Sequence, residues 1–370
     1  MKKAAYTLTV TILVLLGLIS GCEEKPSLIA EQQDFTRDTS FVQVLPSFSS
    51  YVGAEDILLG RDELLYVADT RANRVVMLNR AGQVLSMRTM LHPRSLAQDT
   101  RLDLLVGGET VVANGDTVGT IFRVHLVSNS PDSAHRLDVA RIDTLWRELA
   151  RPNRRFPGIT VFGDNTYLAV RTAFPFPDNS SFIDPDARVL QFNNHDVFIT
   201  PVPAFTSGSG SVAGGITTIY LPTAIASFPA SRDFVLAQTS ADSTIPIQYG
   251  ALWMRFELSN DFEGWLPKYD PERPEDRGVD FIRTYRYKGP EAVAIDPARL
   301  DVFVADAGLD SVFKFNSRGR IKTESFGYAR SGRVMTRPTG LAFFEKVLYV
   351  LDATSGLILR FRLTTDIPRQ

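Results

Sequence analysis

Apolar and polar positions along this chain alternate in short blocks: an apolar run opened by Pro or a small residue, a second apolar run, a turn, then a third run. The block recurs six times between Tyr51 and Leu363. Self-similarity of this kind marks a repeat architecture, in which each unit buries its apolar face against the next. The two clearest copies are LLYVADTRANRVVMLNRAGQV from Leu64 and DVFVADAGLDSVFKFNSRGRI from Asp301. They align without a gap and pair Ala68 with Ala305, Asp69 with Asp306, Val75 with Val312, Asn79 with Asn316 and Gly82 with Gly319. A third copy from Val347 keeps the strand and its Asp352. Looser units open at HPRSLAQD, FPGITVF and LPTAIASF.

The runs are rich in β-branched and aromatic residues, are punctuated by Gly, Pro, Asn and Asp, and leave no amphipathic helical stretch between them. The body is therefore predicted to be all-β. The turns NRAG at Asn79 and NSRG at Asn316 place Asn first and Gly fourth, which is type I turn chemistry and puts Gly82 and Gly319 at positive φ.

Residue by residue, Asp69, Asn73, Arg74, Val75, Asn79 and Gly82 match the pattern of the NHL-type repeat, which the first unit resembles; the copy at Asp306 departs from it at Asp310 and Ser311. The resemblance implies a six-bladed β-propeller over residues 40–370, one blade per unit. Fold does not imply activity. On a propeller frame the last unit lacks a fourth strand, and SFVQVLPSF from Ser40 has the alternation to supply it, hiding an open edge.

Before the repeats, Lys2 and Lys3 precede an apolar run from Ala4 to Ser20 that ends at Ile19-Ser20-Gly21-Cys22. That reads as a signal peptide over residues 1–21, too short for a comfortable membrane span. Its end resembles a bacterial lipobox, which implies acylation of Cys22, a partnership with the lipid bilayer and a cell-envelope location, at the outer membrane or cell surface. Residues 22–39 then form a polar tether. Cys22 is the only cysteine, so no intramolecular disulfide is possible.

Of the 370 residues, 44% are hydrophobic, normal for a globular chain, and radial repetition lets one domain reach this length. Lys+Arg number 40 against 42 Asp+Glu, for a net charge of −2, so there is no electrostatic call to nucleic acid. The basic run RPNRRF at Arg151 reads as a solvated loop.

In a propeller the b–c and d–a loops open on one face. GGETVVANGDTVG from Gly107, TAFPFPDNSSFIDPDA from Thr172 and the stretch Thr239–Gly250 are predicted as long b–c loops of adjacent units, joined by the Gly/Ser-rich connection Ser207–Gly215. Long loops on a rigid scaffold carry binding function. Arg171 at a strand exit, with Phe174, Phe176, Asp178, Asp184 and Asp186, mixes aromatic surface and carboxylates, suited to a ligand or to a hard cation such as calcium, although no EF-hand spacing is present. The insertion from Asn260 is predicted in a c–d connection on the opposite face.

Asp69, Asp306 and Asp352 end strand b, where a carboxylate accepts N–H bonds of the following turn, a structural role. The four His residues lack ligand spacing, and GSGSVAGG fits neither a P-loop nor a nucleophile elbow. With no catalytic constellation and no cofactor signal beyond calcium, the leading function is an envelope binding or scaffold module for a ligand or protein partner. The alternative is a propeller enzyme, a calcium-dependent lactonase or a metal-dependent lyase.

Overall fold

The computed structural model describes residues 39–127, 135–181, 183–202, 219–240, 249–270, 273–327 and 334–367. Cys22, the leader, most of the tether, the Ser207–Gly215 connection and residues 241–248 lie outside them. The described residues form six antiparallel four-stranded sheets, as the six units require. Among the described residues the only helical elements are the 3₁₀ turns Pro274–Asp276, Asp280–Ile282 and Thr364–Asp366.

Strand a of successive blades is Asp56–Leu59, Leu91–Gln98, Arg154–Val161, Leu221–Ser227, Pro290–Ile295 and Pro338–Phe344. These six strands together line a central channel. Strand b is covered on both faces by neighbouring blades, so Leu65–Asp69, Tyr167–Ala173 and Val347–Asp352 are buried at every position. This explains why they read as continuous apolar runs rather than as alternating ones. Successive residues of one strand serve opposite neighbours: Leu65 and Val67 pack with Tyr349 and Leu351 of blade 6, while Tyr66 and Ala68 pack with Leu104 and Val106 of blade 2.

Ring closure follows the sequence expectation. Phe41–Gln43 pairs antiparallel with Leu357–Leu363 and becomes strand d of the last blade. Thr364 N–H donates to Ser40 O at 2.8 Å, and the Phe41 ring packs 5.3 Å from Phe326 and 6.0 Å from Phe303.

The repeat residues do their work locally. Gly82 and Gly319 sit at φ +84° and +70°, and the Oδ1 atoms of Asn79 and Asn316 each accept two backbone N–H groups of their turns. Asp306 accepts from Lys288, Gly289 and Leu309, tying the start of strand a to the b–c turn. Asp352 does the same with Thr336, Arg337 and Thr354. Asp69 departs from this role: its carboxylate takes the Arg74 Nε at 2.7 Å.

Two loop expectations need correction. Gly107–Val111 is not loop but the end of strand b in blade 2, paired in unbroken register with strand c as far as Val111↔Thr117. The glycine there serves close approach rather than flexibility, since a methyl group on Gly107 would fall 2.5 Å from the Phe156 carbonyl oxygen of the next blade. Within the Asn260 insertion, Glu263–Pro267 is itself strand d of blade 4. The remainder is a d–a connection, and it reaches the opposite face through Phe281 N–H, which donates to Gly319 O.

Candidate functional site

Strand a opens with a register break in five of the six blades, at Leu91/Ser95, Arg155/Gly158, Pro222/Ala224, Pro290/Ala292 and Pro338/Gly340. Proline has no N–H for the ladder, and the bulge beside it re-aims the unpaired side chain, toward the channel mouth in blades 2, 4, 5 and 6 and into the core as Phe156 in blade 3. Thr223 and Thr339 use that position as inter-blade ties, their hydroxyls donating to the carbonyls of Pro290 and Ala54. Glu291 and Arg94 place charge there instead.

Around these two a band of ion pairs runs from blade 5 through blade 6 and blade 1 to blades 2 and 3. Arg337 meets Glu291 at 3.1 Å, and Arg94 grips both oxygens of Glu55 at 2.7 and 2.8 Å. Glu109 receives Arg155 Nε at 2.5 Å and lies 2.9 Å from His92 Nδ1. Burial raises the carboxyls of Glu55 and Glu291 against the pull of Arg94 and Arg337. Burial acts on Glu109 too, but His92 and Arg155 outweigh it and hold that carboxyl below its ordinary value. The channel below encloses about 430 Å³, within the range of small-ligand sites.

Asp56 lines the channel just inside Glu55. Burial pushes its carboxyl up to about 7, against hydrogen bonds from the Leu96 and Ile57 amides. The unfolded chain releases this proton near pH 4. The native state therefore binds more protons between about pH 4 and 7, and stability falls as pH rises through that window. Asp306, raised by burial to about 6, acts with the same sign. The melting temperature should be a few degrees higher at about pH 5.5 than at about pH 8; a melting temperature that rises over this interval contradicts the assignment.

The long b–c loop of blade 3, residues 174–187, stands beside the mouth. Beneath it Arg154 and Arg171 share three carboxylates. Arg154 reaches Asp186 and Asp184 at 2.8 Å and Glu148 at 3.3 Å, while Arg171 reaches Asp184 at 2.6 Å and Glu148 at 3.3 Å. Both arginines are buried, as are Asp186 and Glu148. Burial would lift the Asp184 carboxyl, yet Arg171 and Arg154 hold it below the usual range. Within the loop Asp186 N–H donates to Asp178 O and Asp178 N–H to the Asp186 carboxylate, while Asn179 Nδ2 ties the loop to Tyr220 O at the entry to blade 4.

The structure thus divides the residues singled out from sequence. Arg171 and Asp186 are buried and hold the loop from below, while Asp184 binds both arginines with its side chain half exposed. Asp178 caps Ser180. Phe176, at 66% exposure, and Phe174, at 37%, face solvent, and the Phe174 ring lies 5.2 Å from the Arg94 guanidinium carbon. The basic run at Arg151 is not a solvated loop: Arg154 is buried in the network and Arg155 is bound to Glu109.

Sequence reading missed the mouth residues Glu55, Arg94, Glu109, Arg155, Glu291 and Arg337. A signal was present for four of them, since Arg94, Arg155, Glu291 and Arg337 lie within two residues of a proline that opens strand a. Three of the four histidines are paired with carboxylates, namely His92, His125 and His135. Among the described residues no group of three or more His, Cys, Asp or Glu side chains is placed to share a metal ion.

No protein-family model matches the chain, and no curated protein matches it. Solved structures do. A gluconolactonase from Xanthomonas campestris is 12% identical, with 88% of this chain and 90% of that one covered at a TM-score of 0.54. An auxiliary nutrient binding protein from Bacteroides thetaiotaomicron is 11% identical, covering 86% and 70% at 0.54. A glucose dehydrogenase is 10% identical, covering 87% and 99% at 0.55. At such identities the likeness shows the six-bladed propeller fold, which proteins with differing activities share.

Proposed function

We propose that this chain is a lipid-anchored envelope propeller that captures a ligand or partner on the face carrying the channel mouth and the blade 3 loop. The observation that supports this reading best is the blade 3 loop itself. Two buried arginines and three carboxylates fix its base, while its crest exposes Phe174, Phe176 and Ile183 beside the mouth. A rigid loop that holds apolar side chains in water does nothing for the core, and preordering lowers the cost of binding.

The anchor rests on the Ile19-Ser20-Gly21-Cys22 ending. Several acyl chains on one residue give stable attachment where a single chain is marginal. Cys22→Ser should move the protein from the membrane to the soluble fraction on cell fractionation; full retention in the membrane contradicts the anchor. For the binding face, the double change Phe174→Ser/Phe176→Ser should abolish retention of the envelope component held by the immobilised wild type. Val197→Ser is the control: it removes an exposed apolar residue, intermediate in exposure between Phe174 and Phe176, from a c–d turn of the same blade, on the opposite face. Equal retention by both variants would overturn the assignment of the face.

A further inference from the structure

We infer that the ligand taken at this channel is an uncharged polyhydroxylated molecule, a sugar ring or short glycan by its chemistry. The inference rests on the binding-face reading above and narrows it to a ligand class.

Charge at the mouth comes in matched pairs: Glu55 with Arg94, Glu109 with Arg155, Glu291 with Arg337. An anion drawn to any of these guanidinium groups meets a carboxylate within hydrogen-bonding distance of it, and a cation drawn to any carboxylate meets an arginine. Neither sign of ion gains net attraction. A hydroxyl group is served by both partners at once, since it donates to the carboxylate and accepts from the guanidinium. Pairing also holds these planar groups in place before any ligand arrives, so little side-chain freedom is lost on binding.

The bore below continues the same chemistry with few charged groups, Asp56 near the mouth and Arg61 and Glu63 in the a–b turn at the other end. Each strand a is paired with strand b alone, so its other edge turns N–H and C=O groups toward the channel. Between those groups most lining side chains are small or aliphatic, among them Ala224, Ala226, Ala292 and Leu341, with Phe228, Phe343 and Phe344 also on the wall. Asp56, the carboxyl inside the mouth, already accepts the Ile57 and Leu96 amides. Alternating donors and acceptors set among C–H surface complement a molecule that carries hydroxyls on a carbon ring. At the rim the half-exposed Phe174 ring, backed by Arg94, presents a flat apolar face to the C–H side of such a ring.

Saturation-transfer NMR on the full-length protein in a sugar-free detergent tests this, with glucose, galactose, N-acetylglucosamine and maltotriose offered beside citrate and spermidine. At least one of the uncharged sugars should bind with an affinity that does not change with added salt. That affinity should fall by about tenfold or more in Glu291→Gln and in Ala226→Phe, which plugs the bore without touching an ion pair. Thermal unfolding checks each variant, and Glu291→Gln, an isosteric change at a partly exposed residue, decides the matter alone if Ala226→Phe fails to fold. Binding of citrate or spermidine instead, lost in the same variants, would overturn the ligand class and leave the mouth as the binding site. No sugar bound, or sugar binding unchanged in both variants, would overturn the inference itself.

Discussion

Deleting Phe41–Leu45 should lower the melting temperature by about 10 °C or more. The segment supplies strand d of the last blade, and without it Leu357–Leu363 becomes an open edge. Phe41 is 9% exposed and packs on Phe303 and Phe326. Truncating a buried Phe to Ala alone costs about 3–5 kcal/mol, and the deletion removes a strand pairing as well. Closure links the first residues of the propeller to the last, so its loss is felt at the interface of blades 5 and 6 and at that of blades 6 and 1. Differential scanning calorimetry is the check, and an unchanged transition would mean that the ring closes in another way.

Arg154→Ala should destabilise the protein by about 3–5 kcal/mol. The guanidinium is 1% exposed and satisfies Asp186, Asp184 and Glu148 together. Removing it leaves Asp186 and Glu148 buried with one cation fewer, and an uncompensated buried charge is the expensive outcome. Arg151, three residues earlier and 42% exposed at its side chain, is the control: Arg151→Ala should change stability by less than about 0.5 kcal/mol. Urea unfolding of the two variants separates the cases. Equal, small effects would show that the network does not carry the loop.

The fold was legible because its signal is periodic. Strand b, covered on both sides, writes a continuous apolar run six times over, and the Pro-opened strand a writes another. The closing strand was legible for a related reason, since the last unit ends one strand short and SFVQVLPSF stands unused. Gly107 misled because glycine in a sequence announces a bend, whereas here it marks a strand passing close to Phe156. Asp186 misled because a carboxylate in a long loop reads the same whether it faces water or a buried arginine. Which it does depends on Arg154 and Arg171, placed on two different strands by the fold. The mouth pairs are harder still: Arg94 and Glu55 are 39 residues apart, so only the packing of blade 1 against blade 2 makes them neighbours. The proline near Arg94, Arg155, Glu291 and Arg337 was visible, but the bulge that leaves Arg94 and Glu291 unpaired at the mouth is a property of the sheet.

The claim that function resides on the face of the channel mouth is tested most directly by photo-crosslinking in living cells, with a photoreactive amino acid installed in place of Phe176 or, on the opposite face of the same blade, in place of Val197. Both positions are exposed, at 66% and 57%, so both report on whatever approaches them. Irradiation should yield a discrete adduct from the position of Phe176 and none from that of Val197. An adduct at the Val197 position alone, or the same products from both, would contradict the account.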